Sequence, residues 1–150
     1  MAKSSKPPFS YKIPLRPHLK VFISKFTDVE PYELTMQDFF GRLILHEMVK
    51  SVNEDYKPKY KHNYVELEMV VARRLLNKKG CYHISNKSIS GINSYLNRLF
   101  YFTLVQFITL RQSTFEEKLI DSVRLFYKYY KLNEDLISHS TVLQYLQRNL

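Results

Sequence analysis

The chain has no tryptophan, one cysteine (Cys81) and three glycines in 150 residues. A single cysteine excludes an internal disulfide framework and fits a reducing compartment such as the cytoplasm. Three glycines cannot build a phosphate-cradling loop of the known kinds. Scarce glycine beside many long side chains also favours helices over a many-turned β fold. No apolar run is long enough for a bilayer, which needs ~20 residues. The longest, 99–110, is interrupted by Thr103 and Gln106. The opening stretch MAKSSKPPFSYK is basic but has no apolar segment, so it does not read as a signal peptide. These absences point to a soluble intracellular protein with no membrane partner.

Acidic residues are also absent from positions 1–27, which hold Lys3, Lys6, Lys12, Arg16, Lys20 and Lys25. The formal charge of the whole chain is +9. A surplus of this size calls for an acidic partner, nucleic acid first among them. The surplus is uneven: residues 1–27 carry +6, 28–63 carry −2, 64–112 carry +5 and 113–150 are neutral. Aromatics are plentiful, with 12 Tyr and 10 Phe, and a tyrosine-rich surface would suit a protein partner or a homo-oligomer.

At this length one domain is expected. Residues 1–9 read as a flexible basic arm. Residues 10–150 read as a mainly α single domain, a helical bundle around a buried central helix, with room for one small β-hairpin. Pro14 and Pro17 keep the chain extended, and Pro17 can open a short helix through Phe26 with Leu19, Phe22, Ile23 and Phe26 on one face. Thr35 reads as the cap of a helix whose buried stripe is Phe39, Phe40, Leu43, Ile44, Met48 and Val52. Gly41 inside it is either a close-packing point or a modest cost.

Alternation of Val65, Leu67 and Met69 with Glu66 and Glu68 is a strand pattern. The turn signal NKKG (77–80) lets CYHI return as its partner, with Arg73, Arg74, Lys78 and Lys79 near the tip. A helix over 65–76 competes, and helix is favoured for 70–77. Ser88 or Ser90 can cap a long helix to Arg111, apolar almost all round from Leu96 to Leu110 and therefore expected to be buried. Ser113 and Glu116 form a capping-box pair for the next helix, with Phe115, Leu119, Val123, Phe126 and Tyr130 as its stripe. Residues 113–150 then close as a helical hairpin. Its last helix is capped by Ser138 or Ser140 and faces Val142, Leu143 and Leu146 inward.

Catalytic and metal constellations are not evident. His46-Glu47 begins like a zinc-protease helix, but the position of the second histidine holds Lys50. Cys81 and His83 lack a second ligand pair. No reaction and no cofactor is expected. Binding patterns are clearer. KPKYK interleaves Lys57, Lys59 and Lys61 with Tyr60, which suits a nucleic-acid backbone with stacked bases.

The ending FEEKLIDSVRLFYKYYKLNEDLISHSTVLQYLQRN, residues 115–149, resembles helix-turn-helix DNA-binding proteins. The whole chain looks like the small basic proteins of phages and mobile elements. The resemblance implies that the last helix reads DNA, with Thr141, Gln144, Gln147 and Arg148 outward. The neutral charge of this segment opposes that role, because phosphate contacts dominate affinity for DNA. The basic arm, KPKYK and the cluster at 73–79 would then have to supply the grip.

Overall fold

The structure is a computed structural model that describes residues 8–27, 29–50 and 63–150. Lys3, Lys6, Val52 and the KPKYK lysines Lys57, Lys59 and Lys61 lie outside the described residues. Among those described, the fold is mainly helical, with six helices and a small three-stranded sheet.

The sheet is built from β1 (Phe9–Leu15), β2 (Tyr32–Glu33) and β3 (Val65–Val71), in the order β1-β3-β2. β1 runs antiparallel to β3, with Tyr11 opposite Met69 and Ile13 opposite Leu67. β2 is parallel to β3. The period of two puts Ile13, Leu15, Leu67, Met69 and Val71 into the core and leaves Lys12, Glu66 and Glu68 outside. Pro14 is tolerated because β1 is an edge strand. The strand pattern at 65–69 is therefore present, but its partner is β1 and not CYHI. The reason is local. The chain leaves β3 through Ala72 into α3 (Arg73–Lys79), which ends at Gly80 with φ of 70°. His83 instead makes an isolated bridge with Val49.

Pro17 opens α1 (Pro17–Ile23), which is shorter than expected and leaves Phe26 half exposed. Asp38, not Thr35, caps α2 (Phe39–Glu47). Its carboxylate accepts from Gly41 N at 2.6 Å and from the Tyr32 hydroxyl at 2.7 and 2.6 Å. Gly41 is a close-packing point, since a Cβ there would sit 1.9 Å from the Thr35 carbonyl oxygen.

Helix α4 (Asn86–Phe115) has 30 residues and begins earlier than expected. Ser85 is its cap, accepting from Ser88 N at 3.0 Å, while Ser88 Oγ donates to the Glu47 carbonyl at 2.6 Å. Ile92, Leu96, Phe100, Leu104 and Ile108, at steps of four, are fully buried against β1, α1, α2 and α5. The expected burial all round fails on the other face, where Phe102 is 61% and Leu110 66% exposed. α4 also runs through the expected capping box: Ser113 Oγ donates to the Leu110 carbonyl within the last turn, and Glu116 is the left-handed cap at φ 50°. α5 (Leu119–Tyr130) follows, with Val123 and Phe126 buried and Phe115 left out of the stripe. After Lys131, another left-handed cap, the chain crosses to α6 (His139–Asn149), capped by Ser138 and anchored by Val142 and Leu146. Tyr145 of α6 stacks on Tyr101 of α4 at 4.1 Å.

Part of the aromatic surplus is a core cluster. Phe100 meets His18, Phe22, Tyr101 and Phe126 with ring centroids 5.1–5.7 Å apart. No helix among the described residues is long and apolar enough to cross a membrane.

Candidate nucleic-acid interface

α2 buries Phe40, Ile44 and Leu45 and so turns Arg42 and His46, one helical turn apart, to solvent. α3 buries Leu76 and leaves Arg74, Lys78 and Lys79 exposed. The two helices border a cleft of about 520 Å³ lined by Met36, Arg42, Leu45, His46, Leu75, Lys78 and Lys79. Its floor is apolar, three cations stand around it, and no acidic side chain lines it among the described residues.

Lys79 also holds the cleft together. Its ammonium donates to the Leu45 carbonyl in the last turn of α2. That carbonyl is one of those a helix C-terminus leaves without an intrahelical partner, and the cation suits the negative end of the helix dipole. On the far side of Arg42 and His46 lies a second depression of about 510 Å³, lined with Phe39, Leu43 and Tyr95. Arg42 and His46 thus form a ridge between a basic cleft and an aromatic one. Tyr95 is half exposed.

The remaining expected contact residues are dispersed. Lys12 faces solvent from β1, 3.8 Å from Glu66. Lys20 is engaged by Glu30 at 2.8 Å and by the Glu66 carbonyl at 2.9 Å, and it lowers the carboxyl pKa of Glu30 by that hydrogen bond. Arg16 is the N-cap residue of α1, far along the chain from the α2–α3 cleft. The guanidinium of Arg73 lies 4.2 Å from the centre of the Phe9 ring. Thr141, Gln144, Gln147 and Arg148 are all exposed on α6. Thr141 is tied to the cap, its Oγ 2.8 Å from Ser138 Oγ. Arg148 is the one cation among the four.

Lys78 and Lys79 were legible in the sequence as a basic cluster. Arg42 and His46 were missed as contact residues. Their spacing of four, opposite the Phe40–Ile44 stripe, was the available signal. Comparison with family models, curated proteins and solved structures finds no match for this chain.

Proposed function

We propose that the protein binds nucleic acid, DNA first, and carries out no reaction on it. The α2–α3 cleft carries this reading: Arg42, Lys78 and Lys79 stand around an apolar floor, with no acidic lining residue among those described. Cations beside an exposed aromatic suit a single strand, whose phosphates meet the charges while a base stacks on the half-exposed Tyr95 ring. The outer face of α6 is a second contact surface, where Gln144, Gln147 and Arg148 have the chemistry to read base edges and add sequence preference. The lysines of the N-terminal arm and of KPKYK add sequence-independent charge. A domain organised on α4 and a cytoplasmic location accompany this reading.

The test is binding of labelled single-stranded and duplex DNA across a salt series. Three phosphate contacts predict a slope of log K against log salt of about −2 on single strands. Arg42→Ala and Lys78→Ala should each flatten it by about 0.7. Retained duplex preference that disappears in Arg148→Ala and Gln144→Ala would move the site to α6. No binding at low salt refutes the reading.

One observation favours a second reading, a structural or assembly protein. Phe102, Leu110 and Phe115 expose more than half of their surface along the outer side of α4 and its end. Phe102 and Leu110 lie on neighbouring sides of the helix, and large apolar groups left exposed near one another mark protein contacts. Concentration-dependent sedimentation, abolished by Phe102→Ser with Leu110→Ser, is the outcome that supports it.

A further inference from the structure

A row of aromatic rings leads away from the ridge of Arg42 and His46. It starts in the second depression, which Tyr95 and Phe39 line. Phe39 meets Phe26 with ring centroids 5.1 Å apart and planes at 85°. Phe26 packs on Phe22 at 6.2 Å, and Phe22 packs on Tyr130 at 5.0 Å. Tyr130 meets Tyr129 at 4.9 Å. Phe22 is fully buried and supports the row from inside, whereas Phe26 is 48% and Tyr129 58% exposed. The row therefore returns to the surface beyond Tyr95, and its far end carries a cation. The Lys25 ammonium lies 4.4 Å from the centre of the Tyr129 ring.

Lys25 and Phe26 sit in the turn that follows α1, and this turn is fixed. Phe26 N and Thr27 N both donate to the Ile23 carbonyl, at 2.8 and 3.0 Å. The buried Thr27 hydroxyl donates to the same oxygen at 3.2 Å. A cation held over a ring keeps its charge and the N–H donors that point away from the ring. Asp38, the acid beside Phe39 in the chain, has its carboxylate engaged by Gly41 N and the Tyr32 hydroxyl. Solvent thus meets a cation and exposed ring surface at both ends of the row: Arg42 with Tyr95 at one, Lys25 with Phe26 and Tyr129 at the other.

Rings alone would suit a protein face, but a cation at each end favours a polyanion with stacking bases. We propose that a single strand held at the α2–α3 cleft continues past Phe39 to a second contact at Lys25, Phe26 and Tyr129. Lys25 takes a phosphate there, and the exposed ring surface takes a base. The inference rests on the nucleic-acid reading of the cleft and extends it: the full site takes a longer oligonucleotide than the cleft alone.

The experiment is titration of the full chain at low salt with labelled oligothymidylates of about four and about sixteen nucleotides, the two ends of the usual range of site sizes. Tyr129→Ala should bind the longer oligomer at least about fivefold more weakly than wild type and the shorter one equally. Lys25→Ala should flatten the salt slope of the longer oligomer by about 0.7 and leave that of the shorter one unchanged. Tyr129→Phe keeps the ring and should bind like wild type. Both side chains are exposed, so neither change touches the core. Arg42→Ala should weaken both lengths, and failure of that control sinks the cleft reading and the track with it. With that control in place, unchanged binding of the longer oligomer by Tyr129→Ala and Lys25→Ala, or the same loss on both lengths, would overturn the track alone. Self-association that Tyr129→Ala abolishes, with DNA binding unchanged, would assign the rings to a second copy and also overturn it.

Discussion

Asn93 is the most informative single position. It is fully buried on α4 and serves the backbone where β1 turns into α1. Its Oδ1 accepts from Arg16 N at 2.9 Å, and its Nδ2 donates to the Pro14 carbonyl at 2.9 Å and to the Ile89 carbonyl at 3.0 Å. Asn93→Leu keeps the bulk and removes all three bonds. The Ile89 carbonyl keeps its place in the helix ladder, but Arg16 N–H and Pro14 C=O lose their partner. At ~1–3 kcal/mol per orphaned group, and with Pro14 and Arg16 only partly buried, the loss is about 2–4 kcal/mol. That is a large share of the ~5–15 kcal/mol that holds a domain folded. Asn93→Asp separates the two bonds. A neutral aspartic acid can reproduce both, whereas a buried carboxylate keeps only the acceptor. Burial raises the carboxyl pKa in the folded state above its unfolded value of ~3.9. The deficit of the Asp variant is therefore small below that pH and grows as pH rises through the folded pKa. Urea unfolding followed by circular dichroism, with wild type measured beside each variant at each pH, reads both effects. A loss under ~1 kcal/mol in Asn93→Leu, or a pH-independent deficit in Asn93→Asp, would refute the bridging role.

Three further outcomes follow from the packing. Gly41→Ala gains up to about 1 kcal/mol of helix propensity but forces a methyl group onto the Thr35 carbonyl, so it should lower the melting temperature by several degrees. An unchanged or raised midpoint would contradict the close approach. Phe100→Ala should cost ~3–5 kcal/mol in urea unfolding, because the ring is fully buried among four others. A cost below ~1 kcal/mol would contradict this packing. His18 has a folded pKa lowered by burial from 6.5 to about 4. Between those values the unfolded chain binds the proton that the native ring refuses. Stability should therefore be full above pH ~6.5, fall by about 3 kcal/mol as pH drops to ~4, and level off below. The difference between wild type and His18→Gln across this window isolates the effect, and a flat difference would contradict it.

Local chemistry in the sequence predicted what local chemistry controls. The α1 stripe of Leu19, Phe22 and Ile23, the alternation at 65–69, the Ser138 cap and the inward Val142 and Leu146 all appear as their spacing requires. Tertiary choices were not legible. β1 pairs with β3 across fifty or more residues, and Pro14 disguised it as a mere extended lead-in. The Ser113–Glu116 pair has the form of a capping box, yet the helix passes through it. Arg111 sits over the Phe115 ring at 4.1 Å and pairs with Glu117, and these contacts stabilise the longer α4. The apolar richness of 96–110 could not reveal which residues face outward. Burial at steps of four fixed one face, and Phe102 and Leu110 fell on the other. For the interface, Lys78 and Lys79 were visible as a run, whereas their meeting with Arg42 depends on how α3 packs beside α2.

The measurement that tests the central claim most directly is residue-level mapping by nuclear magnetic resonance. A labelled sample of the full chain is titrated with a short single-stranded DNA at low salt. The account predicts amide shifts concentrated at Met36, Arg42, His46, Leu75, Lys78 and Tyr95, smaller changes on α6, and reversal on adding salt. Shifts confined to Thr141, Gln144, Gln147 and Arg148, or none at all, would contradict it.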